Sequence, residues 1–426
     1  MFGEKNSNQA IEEHAGAIEQ FVYHTIRKCV EKSPFLSNFE SKLLEETSCN
    51  IEHFVDSIEI GRDDLIESEL KEGSYELVDA HFLFRSFAHK KNLLPQIIVK
   101  DLDTPYISLS LKVDSIAAFC RQNCIKAHIE GEESGLLRKA LIERQSGLFL
   151  YLVERKSLEE VSLHLLKNED VVQYFQCKEE WNTRARRISS REDEEDALHE
   201  VLFLVEKLTQ KLGAKRAASL ILSEEMAYFQ GKNKAAMIQG ARQFGLGLGW
   251  KNLHSLTFRT SRRNYTQTLR FIEMVGFQKE GFSFYGNQTG VGQKSFYHPH
   301  LGLHATVEVD MTDKEAHRHE KLHTLKEWAH LGEIGLWCRL NGESLLEAGC
   351  SHCMICANPE KLTHDLNEFH IEVRQQNTGA LYEEMYKVPS NMIEKLLLER
   401  EVHVERIKEL EKRGYIRNSF VAAGGF

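Results

Sequence analysis

The order of elements between Lys232 and Asp310 constrains this chain more than any other feature. "KNKAAMIQGARQFG" has the apolar spacing of a helix, and "KNLHSLTFRT" that of a strand. "TSRRNYTQTLRFIEMVGFQKEG" returns to helix, with Leu269, Ile272 and Val275 on one face. Gly276 supplies a left-handed residue to stop that helix, and Phe277 leads into strands at "FSFYG" and "LHATVEVDM". A helix with a single apolar stripe between strands can lie on a sheet. The fold class expected is therefore α+β or α/β, with a central mixed sheet and flanking helices.

The remaining chain is read more coarsely. Residues 1–80 look mainly helical, "LLPQIIVKDLDTPYISLSLKV" and "GLFLYLVE" look like strands, and "ASLILSE" reads as a further strand. Ser157 and Glu160 have the spacing of a capping box. The last hundred residues return to helix, with one long amphipathic segment near 390–413. No internal repeat is visible. Three regions are expected: an acidic, mainly helical 1–105, an α/β core with a basic face over 106–312, and a His/Cys-rich helical 313–426.

With 42% hydrophobic and 28% charged residues the chain is globular in composition. No apolar run reaches the roughly 18 residues of a membrane span. The polar, acidic start "MFGEKNSNQAIEEHAG" resembles neither a signal nor a transit peptide, and nine Cys without one suggest reduced thiols, hence a cytoplasmic location. The net charge of −10 hides an asymmetry. Residues 1–70 carry fifteen Asp/Glu against six Lys/Arg, while 207–270 carry twelve Lys/Arg against only Glu224 and Glu225. That basic run reads as an anion-binding surface for nucleic acid, a phosphorylated cofactor or an acidic carrier protein. The alternative is pairing with the chain's own acidic N-terminal region.

"LGWKNLHSLTFRTSRRNYTQTLRFIEMVGFQKEGF" resembles the C-terminal half of the GCN5-related N-acyltransferase (GNAT) superfamily, over about residues 230–310. Asn264 matches the family's Asn after a strand, "LRFIEMVGF" its helix end, and "KEG" the start of the next strand. The resemblance implies a GNAT-like sheet and an acyl-CoA or acylated-carrier-protein donor. It places the donor's phosphates near Gly231 to Lys234, with Lys232, Lys234, Arg262, Arg263 and Asn264 contacting phosphate or carrier. Acyl-homoserine-lactone synthases share that fold, so autoinducer synthesis (quorum sensing) is one form of the reading. Two departures stand: the usual phosphate loop is not cleanly present in "YFQGKNKAAM", and Ile272 occupies the place of the family's Tyr. Acyl transfer also needs a base for the incoming amine. Glu224, Glu225 and His254 are the candidates, against a surface carboxylate pair and a structural His.

Other stretches suggest metal. "HEKLH", His319 to His323, fits His-Glu-x-x-His, with Glu343 or His330 as third ligand. Cys353-x2-Cys356 followed by His364 and His370 fits a structural zinc site, and four Cys in 338–356 would also suit an iron–sulfur cluster or a buried reduced core. "GNQTGVGQKS" fails as a P-loop because Gln293 separates Gly292 from Lys294. His304, Thr306, Glu308 and Asp310 share one strand face, either a polar cleft or, preferred here, the solvent face of an edge strand. The leading expectation is an acyltransferase moving an acyl group from a thioester to a small-molecule amine. The alternatives are a zinc-containing nucleic-acid-binding regulator and a zinc hydrolase built on "HEKLH".

Overall fold

The chain builds one supersecondary unit four times: a strand, a helix and three strands. The computed structural model describes residues 4–61, 64–89, 94–101, 106–133, 135–145, 147–155, 168–188, 190–299, 301–322, 324–376 and 379–423. The first unit is β1 Val55–Gly61, the helix Asp64–Glu72, β2 Tyr75–His81, β3 Phe84–His89 and β4 Gln96–Lys100. The second is β5 Ile107–Val113, the helix Ile116–Gln122, β6 Ile129–Glu130, β7 Leu137–Gln145 and β8 Leu148–Arg155. The third is β9 Leu253–Arg259, the helix Tyr265–Met274, β10 Gln278–Gly286, β11 Thr289–His298 and β12 Leu303–Thr312. The fourth is β13 His352–Cys356, the helix Pro359–Glu368, β14 Arg374–Gln376, β15 Gly379–Tyr386 and β16 Tyr415–Ala423.

In every unit the fourth strand returns parallel to the first: β4 beside β1, β8 beside β5, β12 beside β9, β16 beside β13. The units then join in pairs through antiparallel first strands, β1 with β5 and β9 with β13. Two eight-stranded sheets result, ordered β2-β3-β4-β1-β5-β8-β7-β6 and β10-β11-β12-β9-β13-β16-β15-β14. A parallel return needs a crossover, and the helix that makes it covers one face only. On that face of the second sheet Leu256, Phe258, Val307, Val309, Cys353 and Ile355 are buried in one core with Leu269 and Ile272 of the helix above. Gly276, at φ 101°, stops this helix where a Cβ would come within 3.1 Å of His298 Nε2.

Helices Asn168–Asn182, Arg191–Leu212, Ala214–Gln230 and Lys234–Gly245 connect the two sheets. Fully buried Glu225 pins this layer: Trp181 Nε1 donates to it at 2.9 Å, Arg184 Nη2 at 2.5 Å and Arg186 Nη2 at 2.7 Å. A second, smaller core joins Ile334 and Trp337 of the helix Glu333–Asn341 to Ile393, Leu396, Ile407 and Leu410 from the segment between β15 and β16.

An α+β class stands, but several finer expectations do not. "ASLILSE" lies inside the helix Ala214–Gln230, because Leu220, Ile221 and Leu222 are all buried between helices. The C-terminal region is not simply helical, since it holds β13 to β16. The amphipathic segment near 390–413 is two helices, Ser390–Leu398 and Val404–Arg413, interrupted where Arg400 takes φ 53°. Repetition, unseen in the sequence, is the basis of the architecture. The Ser157–Glu160 capping box lies outside the described residues. Among the described residues no helix is long and apolar enough to cross a membrane.

Removing one partner from a buried ion cluster strands the others. Glu225→Gln, which leaves Arg184 and Arg186 buried without their anion, is expected to lower unfolding free energy by about 3–5 kcal/mol in urea titration.

Candidate functional site

The face of the second sheet turned away from its crossover helices is polar. Register places Ser255, Thr257 and Arg259 of β9 beside His304, Thr306 and Glu308 of β12. On the other side Met354 and His352 of β13 lie beside Ser255 and Thr257, with Val421 and Ser419 of β16 next to them. Gln293 of β11 faces Glu308. Alternation alone gives this division: even positions of β12 look to the inner face, odd ones into the core. β12 is an interior strand, so the His304–Asp310 row lies on the inner face of the sheet and is not the solvent face of an edge.

At the centre Arg259 Nε donates to Glu308 Oε2 at 2.8 Å, and Arg259 Nη2 lies 3.3 Å from His352 Nε2. Gln293 Nε2 donates to the other Glu308 oxygen at 2.6 Å. Burial alone would raise the Glu308 pKa, but Arg259 and His352 hold it below the usual carboxylate range. Burial, helped by Arg259, pushes His352 down to about 4, so its imidazole is neutral. Trp337 lies over the Arg259 guanidinium at 5.3 Å. Asp310, further along β12, accepts from the Ile334 and Gly335 N–H groups and so fixes the helix that carries Trp337. At the other end His254 and His304 stack with ring centroids 5.2 Å apart, and burial together with His304 lowers the His254 pKa.

The residues singled out from sequence are scattered across other surroundings. Glu224 contacts Lys178 and Asn182, Glu225 sits in its arginine cluster, and His254 is on β9, so these three share no partner among the described contacts. Gly231 ends the helix Ala214–Gln230. Lys232 Nζ donates to the Glu347 carbonyl, and burial lowers its pKa to about 8. Asn233 caps the next helix, and the Lys234 N–H is already given to Glu384 at 3.3 Å, so a carboxylate stands where a donor pyrophosphate was expected. Arg262 is held by Glu315, Arg263 by Glu195, and Asn264 Nδ2 donates to buried Glu343 at 3.0 Å.

The basic run is thus largely neutralised within the fold. Lys207 and Lys211 pair with Glu180, Arg216 with Asp170, Arg242 with Asp365, and Lys251 with Asp114. The partners come from mid-chain and C-terminal segments, not from residues 1–70. These pairings occupy much of the basic run on which the nucleic-acid-binding reading rested.

The described geometry lends the zinc readings no support. His319 to Lys321 lie in turns, with His319 stacked on Phe282 at 4.0 Å, and His323 is outside the described residues. Cys353 is buried in the core, Cys356 is only partly buried, and His364 and His370 are exposed beyond the strand. Among the described residues no group of three or more His, Cys, Asp or Glu is placed to hold a metal ion. Glu308 and His352 are linked instead through the cation Arg259.

No family model and no curated protein matches the sequence. Among solved structures, a glyoxalase/bleomycin resistance protein/dioxygenase superfamily member from Vibrio splendidus 12B01 is 11% identical, covering 24% of this chain and 96% of its own, with TM-score 0.18. A mutant 4-hydroxymandelate synthase from Streptomyces coelicolor is 11% identical over 88% of this chain and 94% of its own, with TM-score 0.23. A glyoxalase I mutant from Zea mays is 8% identical over 62% and 70%, with TM-score 0.20. At such scores the strand order, not the neighbours, carries the description of the fold.

None of these structures is an acyltransferase, and the GNAT resemblance is overturned. Residues 253–312 do run strand–helix–strands, but β12 returns parallel to β9 and the sheet continues through β13 into a second such unit. With it go acyl transfer, autoinducer synthesis and the acyl-CoA or acylated-carrier-protein donor, whose phosphate contacts are already committed inside the fold. Ile272 is a fully buried core residue of the helix Tyr265–Met274.

Sequence reasoning missed Arg259, His352 and Gln293. The usable signal was the His304-Thr306-Glu308-Asp310 alternation, which needed an interior β12 to be read correctly. A His kept neutral in the fold must take up a proton on unfolding below its ordinary pKa of about 6.5. Stability is therefore expected to fall as pH drops from about 6.5 towards 4, and His352→Gln should flatten that part of the urea-midpoint profile.

Proposed function

We propose that the inner face of the second sheet binds a small organic carboxylate with a short apolar body. The observation that carries this reading is the state of Arg259. Its Nε is fixed by Glu308 and its Nη2 faces His352, while Nη1 has no partner among the described residues. The side chain is 17% exposed, so the guanidinium is held in place yet reachable. Orienting an arginine through one buried carboxylate preorganises its remaining donors for a second. Half-buried Thr257 and Thr306 offer hydroxyls beside it, and half-buried Met354 and Val421 offer apolar contact. Buried polar groups on the interior strands of a sheet are expensive in stability and point to use. Neutral His352 suits hydrogen bonding to a ligand better than proton abstraction, since its pKa lies near 4.

Titration calorimetry with a panel of two- to six-carbon carboxylates, pyruvate and 2-oxoglutarate among them, tests this. Arg259→Met is expected to weaken the best binder by about 10–100-fold, the loss of a charge-assisted hydrogen bond, and Thr257→Val by less. Unchanged affinity in a folded Arg259→Met chain would sink the proposal.

A further inference from the structure

The first sheet has a polar inner face of its own, and its charges are exchanged relative to the second. In the second sheet the first strand of the unit carries the cation, Arg259, and the fourth the carboxylate, Glu308. In the first sheet β1 carries the carboxylate, Glu59, and β4 the cation, Lys100. Lys100 Nζ lies 2.5 Å from Glu59 and Lys139 Nζ, from β7, 3.0 Å, while Tyr106 OH donates to Glu59 at 3.1 Å. Glu59 is buried beneath these groups, whereas Lys100 and Lys139 remain 33% and 26% exposed. One carboxylate shared by two lysines leaves a net positive charge at the surface of this face.

Three half-buried rings accompany the cations. Tyr106 and Phe149 pack with centroids 5.1 Å apart, Lys100 lies over the Tyr106 ring at 5.2 Å, and Lys139 over Tyr151 at 4.1 Å. Arg144 lies over Phe149 at 5.2 Å, adding a third cation to the aromatic floor. Below them Ser110 is fully buried and its Oγ has no partner, an unusual choice for a sheet that served only as scaffold. Cations held over aromatic faces, with flat apolar surface between them, suit a ligand that is both planar and anionic.

We propose that the inner face of the first sheet is a separate binding site for a planar organic anion, an aromatic carboxylate in type. Lys100 and Lys139 take the carboxylate, and Tyr106, Phe149 and Tyr151 take the ring. The site is independent of the one on the second sheet.

Benzoate, salicylate and 4-hydroxybenzoate are the probes, used on the full chain by titration calorimetry. Lys139→Met and Lys100→Met are expected to weaken aromatic-carboxylate binding at least tenfold, Lys139→Arg to restore most of it, and Arg259→Met to leave this component in place. Lysine acetylation read by mass spectrometry on the unsubstituted chain gives a second readout free of folding effects: saturating salicylate should protect Lys100 and Lys139. Absence of millimolar binding by all three probes, or unchanged labelling of both lysines at saturation, overturns the proposal. Loss of binding in Arg259→Met alone would assign the aromatic anion to the second sheet and likewise overturn it.

Discussion

The parallel pairing of the first and fourth strands of each unit is the constraint on which the rest depends. A strand that returns parallel to the one it left must cross over through a helix, and the helix occupies one face. The opposite face of each sheet is left without a crossover helix, and the antiparallel junctions β1–β5 and β9–β13 place two such faces side by side. Each eight-stranded sheet therefore has a mainly apolar outer side and a polar inner side. The core follows from the outer side, the candidate sites from the inner one.

Both inner faces use their freedom in the same way, with the strands that carry carboxylate and cation exchanged. A carboxylate is buried at the middle of each, Glu59 or Glu308, and basic side chains sit over it. The two carboxylates reach low pKa values by the same balance: burial opposes ionisation, and adjacent cations more than compensate. The carboxylate in turn orients the cations, which is how a fold can hold a lysine or arginine ready for a ligand. Glu225 shows the contrast. It is fully buried between Arg184 and Arg186, and its role is to join helices.

Most of the third unit was legible in the sequence because its signals are local: the stripe of Leu269, Ile272 and Val275, Gly276 at the helix stop, and the alternation of β12; β11, met only as a failed P-loop, was missed. The fourfold repetition was not, since pairing of β4 with β1 or β16 with β13 is a long-range property with no fixed residue pattern. The basic run of 207–270 was read as a surface because charge counts ignore partners. Those partners, Asp114, Glu180, Glu315 and Asp365 among them, are far away in sequence. His352 hid among cysteines, and only its position opposite Thr257 on an interior strand gives it meaning.

The proposed ligand site on the inner face of the second sheet is anchored on Arg259. A crystal structure of the chain soaked with pyruvate tests this most directly. The predicted result is carboxylate density against Arg259 Nη1, with Glu308 and His352 unmoved beneath it. Density confined to other surfaces, with Arg259 still turned wholly to Glu308, would contradict it.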